Sequence, residues 1–292
     1  MKLGIIGGSG LYQLEGLETV TEVTLKTPFG QPSDAYIHGT LNGVDIYFLP
    51  RHARGHRILP AEINHKANIW GFKKLGVDCV MSVSAVGSLR EGIRPRDIVL
   101  PDQYFDRTKG SLNHTFFGHG IVGHVSFGEP TCHRLRDIIA KVATEVVNDL
   151  KLGNIVRLHK GGTYVNMEGP AFSTRAESNS YRQMGFDIIG MTSLPEAKLC
   201  REAELCYLPM SLATDYDCWR TSEEEVSVDK IIQTLTANTA LAKEIIRRFV
   251  TQLSEPRDCA CQHALKNAIM TDMKTVPPAT LEVLAPLLAK YH

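Results

Sequence analysis

The chain has 292 residues, and its 32 lysine and arginine residues balance its 32 aspartate and glutamate residues. A net charge of zero argues against the broad basic surface with which proteins bind nucleic acid or an anionic membrane. No apolar run approaches the ~20 residues that span a bilayer. With 43% hydrophobic and 22% charged residues, the composition indicates a globular protein that acts on small molecules.

The cysteine content favours a reducing, cytoplasmic location. The seven cysteines are few and scattered, at positions 79, 132, 200, 206, 218, 259 and 261, which is unlike a disulfide framework. The first residues lead straight into a strand pattern, so no signal peptide is expected. Cys259 and Cys261 have no second pair with metal-ligand spacing, and we predict no metal site.

Strands dominate the predictions for the first part of the chain. Residues 3–6 form an apolar run that ends in the turn Gly7-Gly8-Ser9-Gly10. Residues 34–39 and 44–49 flank Asn42-Gly43, a pair typical of a tight β-hairpin. Further strands are predicted over residues 77–86, 97–100 and 206–214.

Helical periodicity is clearest in the second half. Apolar residues recur every three or four positions over residues 135–150 and again over 228–249, with Ser227 as the expected N-cap of the second helix. Ser193 and Glu196 have the spacing of a capping box and predict a helix through Leu199. Strands that alternate with helices predict an α/β fold.

We predict one α/β domain over residues 1–255 and a helical tail over 256–292 that packs on the same domain. The polar segment 254–258 marks the end of the compact body. Apolar segments at 264–270 and 280–291 predict helices in the tail, but they offer too little core for a second domain.

Three segments contain the residue types of an anion site. The turn 7–10 exposes successive backbone N–H groups next to Ser9, although its glycine spacing fits neither a P-loop nor the dinucleotide fingerprint. The segment 51–57, RHARGHR, follows a strand, and arginine binds oxyanions through paired hydrogen bonds. Ser84 and the Ala85 N–H close a strand at the end where α/β sheets bind ligands. Ordinary turns and a solvated basic loop are the alternatives.

Two further segments suit the recognition of a ring and the donation of a proton. Asp215 and Asp217 follow an apolar strand, and burial would raise the pKa of a carboxyl there, as a general acid requires. Glu168, Phe172 and Ser173 lie in a Gly-Pro segment before a helix, where they would face a sugar and a ring and where Ser173 would cap the helix. For the aspartates, the alternative is two surface residues in a loop. For the Gly-Pro segment, the alternative is a turn and a helix cap with a purely structural role.

Nine segments occur in a fixed order along the chain: IIGGSGL, TPFGQPSDA, RHARGH, NHKANIW, SAVGSL, DIVLPDQYFDRT, EGPAFSTRAES, GMTSLPEA and SLATDYDCW. Together they resemble the 5′-methylthioadenosine phosphorylase branch of the trimeric purine nucleoside phosphorylase family. The resemblance extends from Ile5 to about Phe249. It implies a single domain with a central mixed, partly barrel-like sheet flanked by helices, in a homotrimer or dimer of trimers.

The resemblance also implies which residues bind each part of the substrates. Inorganic phosphate would be bound by Ser9, Arg51, His52, Ser84, Ala85 and Thr192. The purine and ribose would contact Phe172, Ser173, Asp215, Asp217 and Met191. The 5′-substituent would contact His56, Val228, Ile231, Ile232 and, from a neighbouring subunit, His124.

The implied reaction is phosphorolysis of 5′-deoxy-5′-methylthioadenosine to adenine and 5-methylthioribose 1-phosphate, with phosphate as co-substrate and no cofactor. Asp215 would protonate the purine, and Asp217 would accept a hydrogen bond from the 6-amino group. An alternative is a phosphorylase of methylthioinosine, inosine or guanosine, whose 6-oxygen an ionised Asp217 would repel. A nucleotide-linked oxidoreductase lacks the glycine spacing, and a non-catalytic nucleoside-binding module would not need both an anion site and an acid.

Two features depart from the family pattern. Ser9 and Ser84 stand where close relatives often have threonine, which keeps the hydroxyl. The Cys259-Ala260-Cys261 tail is not part of the family's core pattern. Some thermophilic members carry disulfides, so Cys200, Cys206, Cys259 and Cys261 are candidates for pairing, with reduced thiols as the alternative.

Overall fold

The computed structural model describes residues 1–8, 10–11, 14–220, 228–253 and 259–291, with the backbone alone at 111–112 and 228–232. The strands within them are β1 (Leu3–Gly7), β2 (Glu18–Val23), β3 (Tyr36–Leu41), β4 (Val44–Pro50), β5 (Cys79–Ser88), β6 (Ile98–Leu100), β7 (Gln103–Arg107), β8 (Leu158–Lys160), β9 (Thr163–Met167), β10 (Ile188–Gly190) and β11 (Cys206–Asp215). The α-helices are α1 (His65–Lys74), α2 (His133–Asp149), α3 (Arg175–Gln183), α4 (Ser193–Glu202), α5 (Val228–Thr251) and α6 (Pro278–Leu288).

The strands form one mixed sheet, which confirms the predicted α/β fold. Its main path is β2-β3-β4-β1-β5-β10-β9-β7, while β11 pairs with β5 and β6, and β6 pairs with β8. β1 lies between β4 and β5 and is parallel to both, and β11 is parallel to β5. β10 is antiparallel to the last two residues of β5. Among the described strands, the sheet therefore branches at β5 and does not close into a barrel.

Helices cover both faces of this sheet, as parallel strands require because both of their faces must be buried. Successive residues of β1 illustrate this, since Ile5 packs in one apolar cluster and Ile6 in another. The first cluster includes the buried faces of α2 and α5. The second includes residues of α1, α4 and α6. The periodic stripes that predicted α2 and α5 are thus confirmed as core-facing surfaces.

Local sequence patterns predicted the hairpin correctly, but they placed the N-caps of two helices one residue away from the observed caps. Asn42 and Gly43 have φ values of 50° and 77° between β3 and β4, as a tight hairpin turn requires. The N-cap of α4 is Thr192, not the predicted Ser193, because Asn166 on β9 accepts a hydrogen bond from Leu194 N at 3.0 Å. The cap of α3 is Thr174 rather than Ser173. The predicted cap Ser227 lies outside the described residues.

The tail is less helical than its sequence indicated. Residues 264–268 form turns, so the helix predicted over 264–270 is wrong, whereas α6 matches the second predicted helix. α6 packs on α1, and Trp70 Nε1 donates to Val283 O at 3.0 Å. The division at 255–256 falls outside the described residues and stays a prediction. Among the described helices, none has the length and apolar character needed to cross a membrane.

Candidate active site

Several of the predicted site residues lie at one edge of the sheet. Because β1, β4, β5 and β11 are parallel, the segments that follow β1, β4 and β11 meet at this edge, beside the last residues of β5. Within β5, which is otherwise largely buried, Ala85 is the exposed position. The surface over the last third of β5, between these segments, is the candidate cleft. Ser9 lies outside the described residues, so its predicted contact with phosphate stays a prediction.

Arg51 is a buried, fully engaged cation at the anion end of this cleft. Its backbone N–H donates to Gly7 O at 3.0 Å, which joins the ends of β4 and β1. Its guanidinium donates to Glu196 Oε1 and Oε2 at 2.5 and 3.2 Å and to Ser82 Oγ at 2.7 Å. Burial lowers the pKa of Arg51, but the Glu196 carboxylate, with Tyr207 and Tyr164, raises it, and the net shift is upward. The side chain is therefore charged and fixed in orientation.

A buried polar network holds Glu196 in turn. The Tyr207 hydroxyl donates to Glu196 Oε2 at 3.0 Å and also lies 2.9 Å from Ser193 Oγ. Ser193 Oγ is 2.6 Å from the Tyr104 hydroxyl. Glu196 lies about one turn after Thr192. The N-terminus of α4 is therefore about 6 Å from Glu196 along the helix axis. The unpaired N–H groups of a helix N-terminus favour an anion.

The Tyr164 hydroxyl marks the point where Arg51, Ser84 and Thr192 meet. It is buried, and burial raises its pKa to about 12 against the opposing effects of Arg51, the Ser84 hydroxyl and the Thr192 backbone. Ser84 and Thr192 are close enough to affect the pKa of Tyr164, yet no well-directed hydrogen bond within the described residues satisfies the Tyr164 hydroxyl. Three of the predicted phosphate-binding residues therefore lie around one spot.

His52 and His56 lie at the mouth of the same region. His52 Nδ1 is 2.8 Å from Ile58 O, which can only accept, so Nδ1 carries the proton. Burial, and then the neighbouring Arg51 charge, lower the pKa of His52 to about 4. The ring of the exposed His56 stacks on that of His52 with centroids 4.5 Å apart. A phosphate dianion near His52 would oppose the effect of Arg51 on its pKa.

Asp215 and Asp217 form the acidic end of the cleft. Asp217 N donates to Asp215 Oδ1, and Thr214 Oγ1 donates to Asp215 Oδ2, both at 2.7 Å. Burial raises the pKa of both carboxyls, and the charge of Asp215 adds to this effect at Asp217. Asp217 Oδ2 is buried and has no hydrogen-bond partner within the described residues. The pair therefore offers a protonatable carboxyl and an unsatisfied acceptor.

Gly87 on β5 lies directly against the two carboxylate residues. A Cβ added there would lie 3.2 Å from Asp215 Oδ1 and 3.3 Å from the Cβ of Asp217, so any side chain would crowd the pair. Asp217 has φ of 52°, a left-handed conformation that aspartate tolerates better than most residues.

The segment after β9 lies beside the acidic pair. The Ser173 carbonyl accepts a hydrogen bond from Cys218 Sγ at 3.2 Å, next to Asp217 in the chain. Phe172 is 75% exposed, so its ring faces are free to stack on a planar ligand. Gly169 has φ of 71°, and an added Cβ would lie 2.5 Å from Met191 Sδ. Met191 is therefore a neighbour of Gly169, and Ser173 is a neighbour of Cys218; their predicted contacts with a nucleoside stay predictions.

Some predicted residues are not brought to this cleft by the described residues. His124 is exposed, and its N–H donates to Ala268 O at 2.8 Å, so that loop is held by the tail. Val228, Ile231 and Ile232 lie in the first two turns of α5, where the backbone alone is described. Two surface depressions lie elsewhere, along α2 and β8, and contain no predicted site residue.

Sequence reasoning missed the residues that position the site. Glu196 is 145 residues from Arg51, and its spacing from Ser193 indicated a helix cap instead. Asn166, which caps α4, and the buried Tyr164 belong to β9, a strand the pattern did not single out. No local signal in the sequence could reveal these long-range partners.

The arrangement combines an anion site with a partly buried acid pair at the end of a mixed α/β sheet, which suits an enzyme that transfers a group to an oxyanion. The model of the Phosphorylase superfamily matches residues 2–251. This match covers every element from β1 to α5 and therefore the whole cleft.

Individual relatives are similar over nearly the full length. The S-methyl-5′-thioadenosine phosphorylase of Geobacter sulfurreducens is 52% identical over 99% of this chain and 98% of its own. That of Gloeobacter violaceus is 54% identical, over 99% and 96%. The chain belongs to the phosphorylase superfamily and, within it, to the family of S-methyl-5′-thioadenosine phosphorylases.

Solved structures agree in fold. A methylthioadenosine phosphorylase from an Antarctic soil metagenomic library superposes with a TM-score of 0.92 at 45% identity, covering 98% of each chain. The methylthioadenosine phosphorylase of Schistosoma mansoni, solved in complex with adenine, gives a TM-score of 0.82 at 35% identity over 91% of this chain and 96% of that one.

Proposed function

We propose that the protein catalyses the phosphorolysis of 5′-deoxy-5′-methylthioadenosine to adenine and 5-methylthioribose 1-phosphate, with no cofactor. One observation carries this proposal: the anion-binding groups and the acid pair flank the same strand. Ser84, at the anion end, and Gly87, beside both carboxylates, are three residues apart, which is about 10 Å along a strand. That separation leaves room for a sugar between a phosphate and a base.

The chemistry follows from the charges at the two ends. As the bond between C1′ and the purine nitrogen breaks, its electron pair moves to the purine and the sugar becomes oxocarbenium-like. Phosphate bound near Arg51, His52, Ser84, the Ala85 N–H and Thr192 stabilises that charge, and one of its oxygens then bonds to C1′. Asp215, whose pKa is raised by burial, donates the proton that the leaving purine acquires.

Asp217 accounts for a preference for adenine. Its buried Oδ2 has no partner within the described residues, and a 6-amino group would supply the missing donor. A 6-oxopurine would place a second acceptor against it. Together with the activity of the relatives, this disfavours an enzyme of methylthioinosine, inosine or guanosine.

The 5′-substituent and the oligomer belong to the same proposal. Val228, Ile231 and Ile232 are apolar residues at the start of α5, and an apolar pocket there would favour methylthio over a hydroxyl that would be left unpaired. His124 is exposed and held by the tail, which suits a contribution to a neighbouring subunit's site. We therefore propose a cytoplasmic homotrimer, alone or as a dimer of trimers.

Phosphate dependence tests the reaction. We expect the purified enzyme to release adenine from methylthioadenosine only when phosphate is present, faster than from adenosine and much faster than hypoxanthine from inosine. Equal release in phosphate-free buffer would identify a hydrolase. A higher kcat/KM for inosine would reject the base assignment.

A further inference from the structure

Four cysteines meet on the face of the sheet that α2 and α5 cover. Their Sγ atoms all lie within 4.8 Å of one another, and they belong to Cys132, Cys206, Cys259 and Cys261. Cys132 is the N-cap of α2, Cys206 is the first residue of β11, and the other two flank Ala260 in the tail. Three separate parts of the chain therefore contribute to one cluster.

This grouping differs from the one that the sequence indicated. Cys200 was a candidate partner of the tail cysteines, but it packs in the apolar cluster of α1, α4 and α6 on the opposite face. Cys132, to which the sequence assigned no role, takes its place beside Cys206. None of the seven cysteines, all of which lie among the described residues, forms a disulfide in the structure. The sequence predicted no metal site because Cys259 and Cys261 had no second pair of thiols with suitable spacing. In the structure, Cys132 and Cys206 are that second pair.

The spacing of the sulfur atoms suits one tetrahedral ion. Zinc binds four thiolates at about 2.3 Å, which places neighbouring sulfurs about 3.8 Å apart at the corners of a tetrahedron. Here Cys206 Sγ and Cys259 Sγ are 3.2 Å apart, and 4.8 Å bounds every other pair. Small shifts of the side chains would therefore bring all four sulfurs to coordination distance.

The surroundings also suit thiolates. Cys132, Cys206 and Cys261 are buried among apolar side chains, with Cys259 partly buried beside them. The N-terminus of α2, a helix of 17 residues, begins at Cys132, and its partial positive charge stabilises a thiolate there. A set of four thiolates selects a soft divalent ion with tetrahedral geometry, which is the preference of zinc.

We propose that Cys132, Cys206, Cys259 and Cys261 bind one structural zinc ion per chain. All four positions of the ion are filled by protein, so the site has no opening for a substrate. Its function is to hold the tail against the starts of α2 and β11. The same tail pairs with the loop that carries His124, through Ala268 and Ile269.

Metal analysis of untagged protein, purified under reducing conditions, tests the proposal. We expect about one zinc per chain, and less than a tenth of that in Cys259→Ser. Cys79→Ser is the matched control, because Cys79 is a buried strand cysteine in the same apolar cluster but outside the group of four. It should retain its zinc. Wild-type protein without stoichiometric zinc, or with iron in its place, would overturn the assignment.

Thiol counting separates zinc from disulfides. After denaturation with a chelator and without reductant, zinc-bound protein should show all seven thiols. Two disulfides within the cluster would leave 7 − 4 = 3, and that count would reject the proposal.

Two measurements on wild-type protein keep the test decisive if Cys259→Ser does not fold. Cobalt(II) exchanged for zinc should show the visible bands of a tetrahedral tetrathiolate site, and octahedral bands would contradict it. Removal of the metal under reducing conditions should lower the Tm by several degrees and zinc should restore it, because the metal binds only the folded arrangement. An unchanged Tm would exclude a structural role.

Discussion

The two ends of the cleft differ in how far their charged side chains are satisfied without a ligand. At the anion end, Arg51 is fixed by Glu196 and Ser82, and Glu196 is held by Tyr207. At the base end, Asp217 Oδ2 has no partner among the described residues, and Phe172 is 75% exposed. The anion end is therefore organised in advance, whereas the base end depends on the ligand to complete it. We expect binding of phosphate to be insensitive to the nucleoside's base, and selectivity to arise at the base end.

The largest effect should come from Asp215→Asn, which removes the proposed proton donor. General acids contribute ~10²–10⁴-fold to rate, so kcat for methylthioadenosine should fall by that amount with little change in Tm. The control Asp106→Asn, on β7 and paired with Lys198, should keep its activity. Near-normal kcat in Asp215→Asn would remove its assigned role.

The pH dependence sharpens the same point. Burial raises the pKa of Asp215, so the carboxyl keeps its proton to a higher pH than an exposed aspartate. Activity should be present below that raised pKa and fall as pH rises through it. This alkaline decline should be absent from the residual activity of Asp215→Asn, and a decline of the same position in both would assign it to another group.

Breaking the organised end should affect stability. Glu196→Gln leaves the buried Arg51 charge without its partner, and removal of one member of a buried ion pair costs about 3–5 kcal/mol. Added phosphate should stabilise this variant more than it stabilises the wild type, because the anion supplies the missing charge. Denaturant unfolding with and without phosphate measures both. If phosphate raised the free energy of unfolding of Glu196→Gln and of the wild type by the same amount, the ion pair would not act on the anion site. The control is Asp97→Asn, because Asp97 is a buried acid hydrogen-bonded away from the cleft. Phosphate should stabilise this control as much as it stabilises the wild type.

Asp217→Asn should change selectivity more than rate. An asparagine can donate to a 6-oxygen, so the ratio of kcat/KM for methylthioinosine over methylthioadenosine should rise about 10–100-fold, given the ~1–3 kcal/mol cost of an unsatisfied group. Steady-state kinetics on both nucleosides provides the ratio. If the ratio stays constant, Asp217 does not recognise the base.

The smallest effect should come from Phe172→Ala. Stacking of a base on an aromatic ring contributes ~1–3 kcal/mol, and we expect the lower end because the ring is exposed. KM for the nucleoside should rise about fivefold with kcat nearly constant, whereas Phe172→Tyr keeps a ring and should resemble the wild type. Met184→Ala, which truncates another exposed apolar side chain on α3's end, should change neither constant; an equal rise there would point to a general surface effect.

The sequence predicted best what depends on neighbours along the chain. The hairpin at Asn42-Gly43 and the apolar stripes of α2 and α5 are local patterns, and the structure confirms them. Pairings across the fold were beyond such patterns: neither Glu196 with Arg51 nor Cys132 with the tail leaves a trace in spacing. The cap of α4 was misplaced for the same reason, since Asn166 reaches it from another strand.

The branch point of the sheet has a kinetic consequence. β5 pairs with β1, β10 and β11, and it also forms the floor between the two ends of the cleft. Its amides can exchange with solvent deuterium only if several neighbouring strands separate, so we expect the slowest exchange of the protein in this strand. The distance between the phosphate and base positions should then persist for as long as the molecule as a whole stays folded, instead of fluctuating with the surrounding loops.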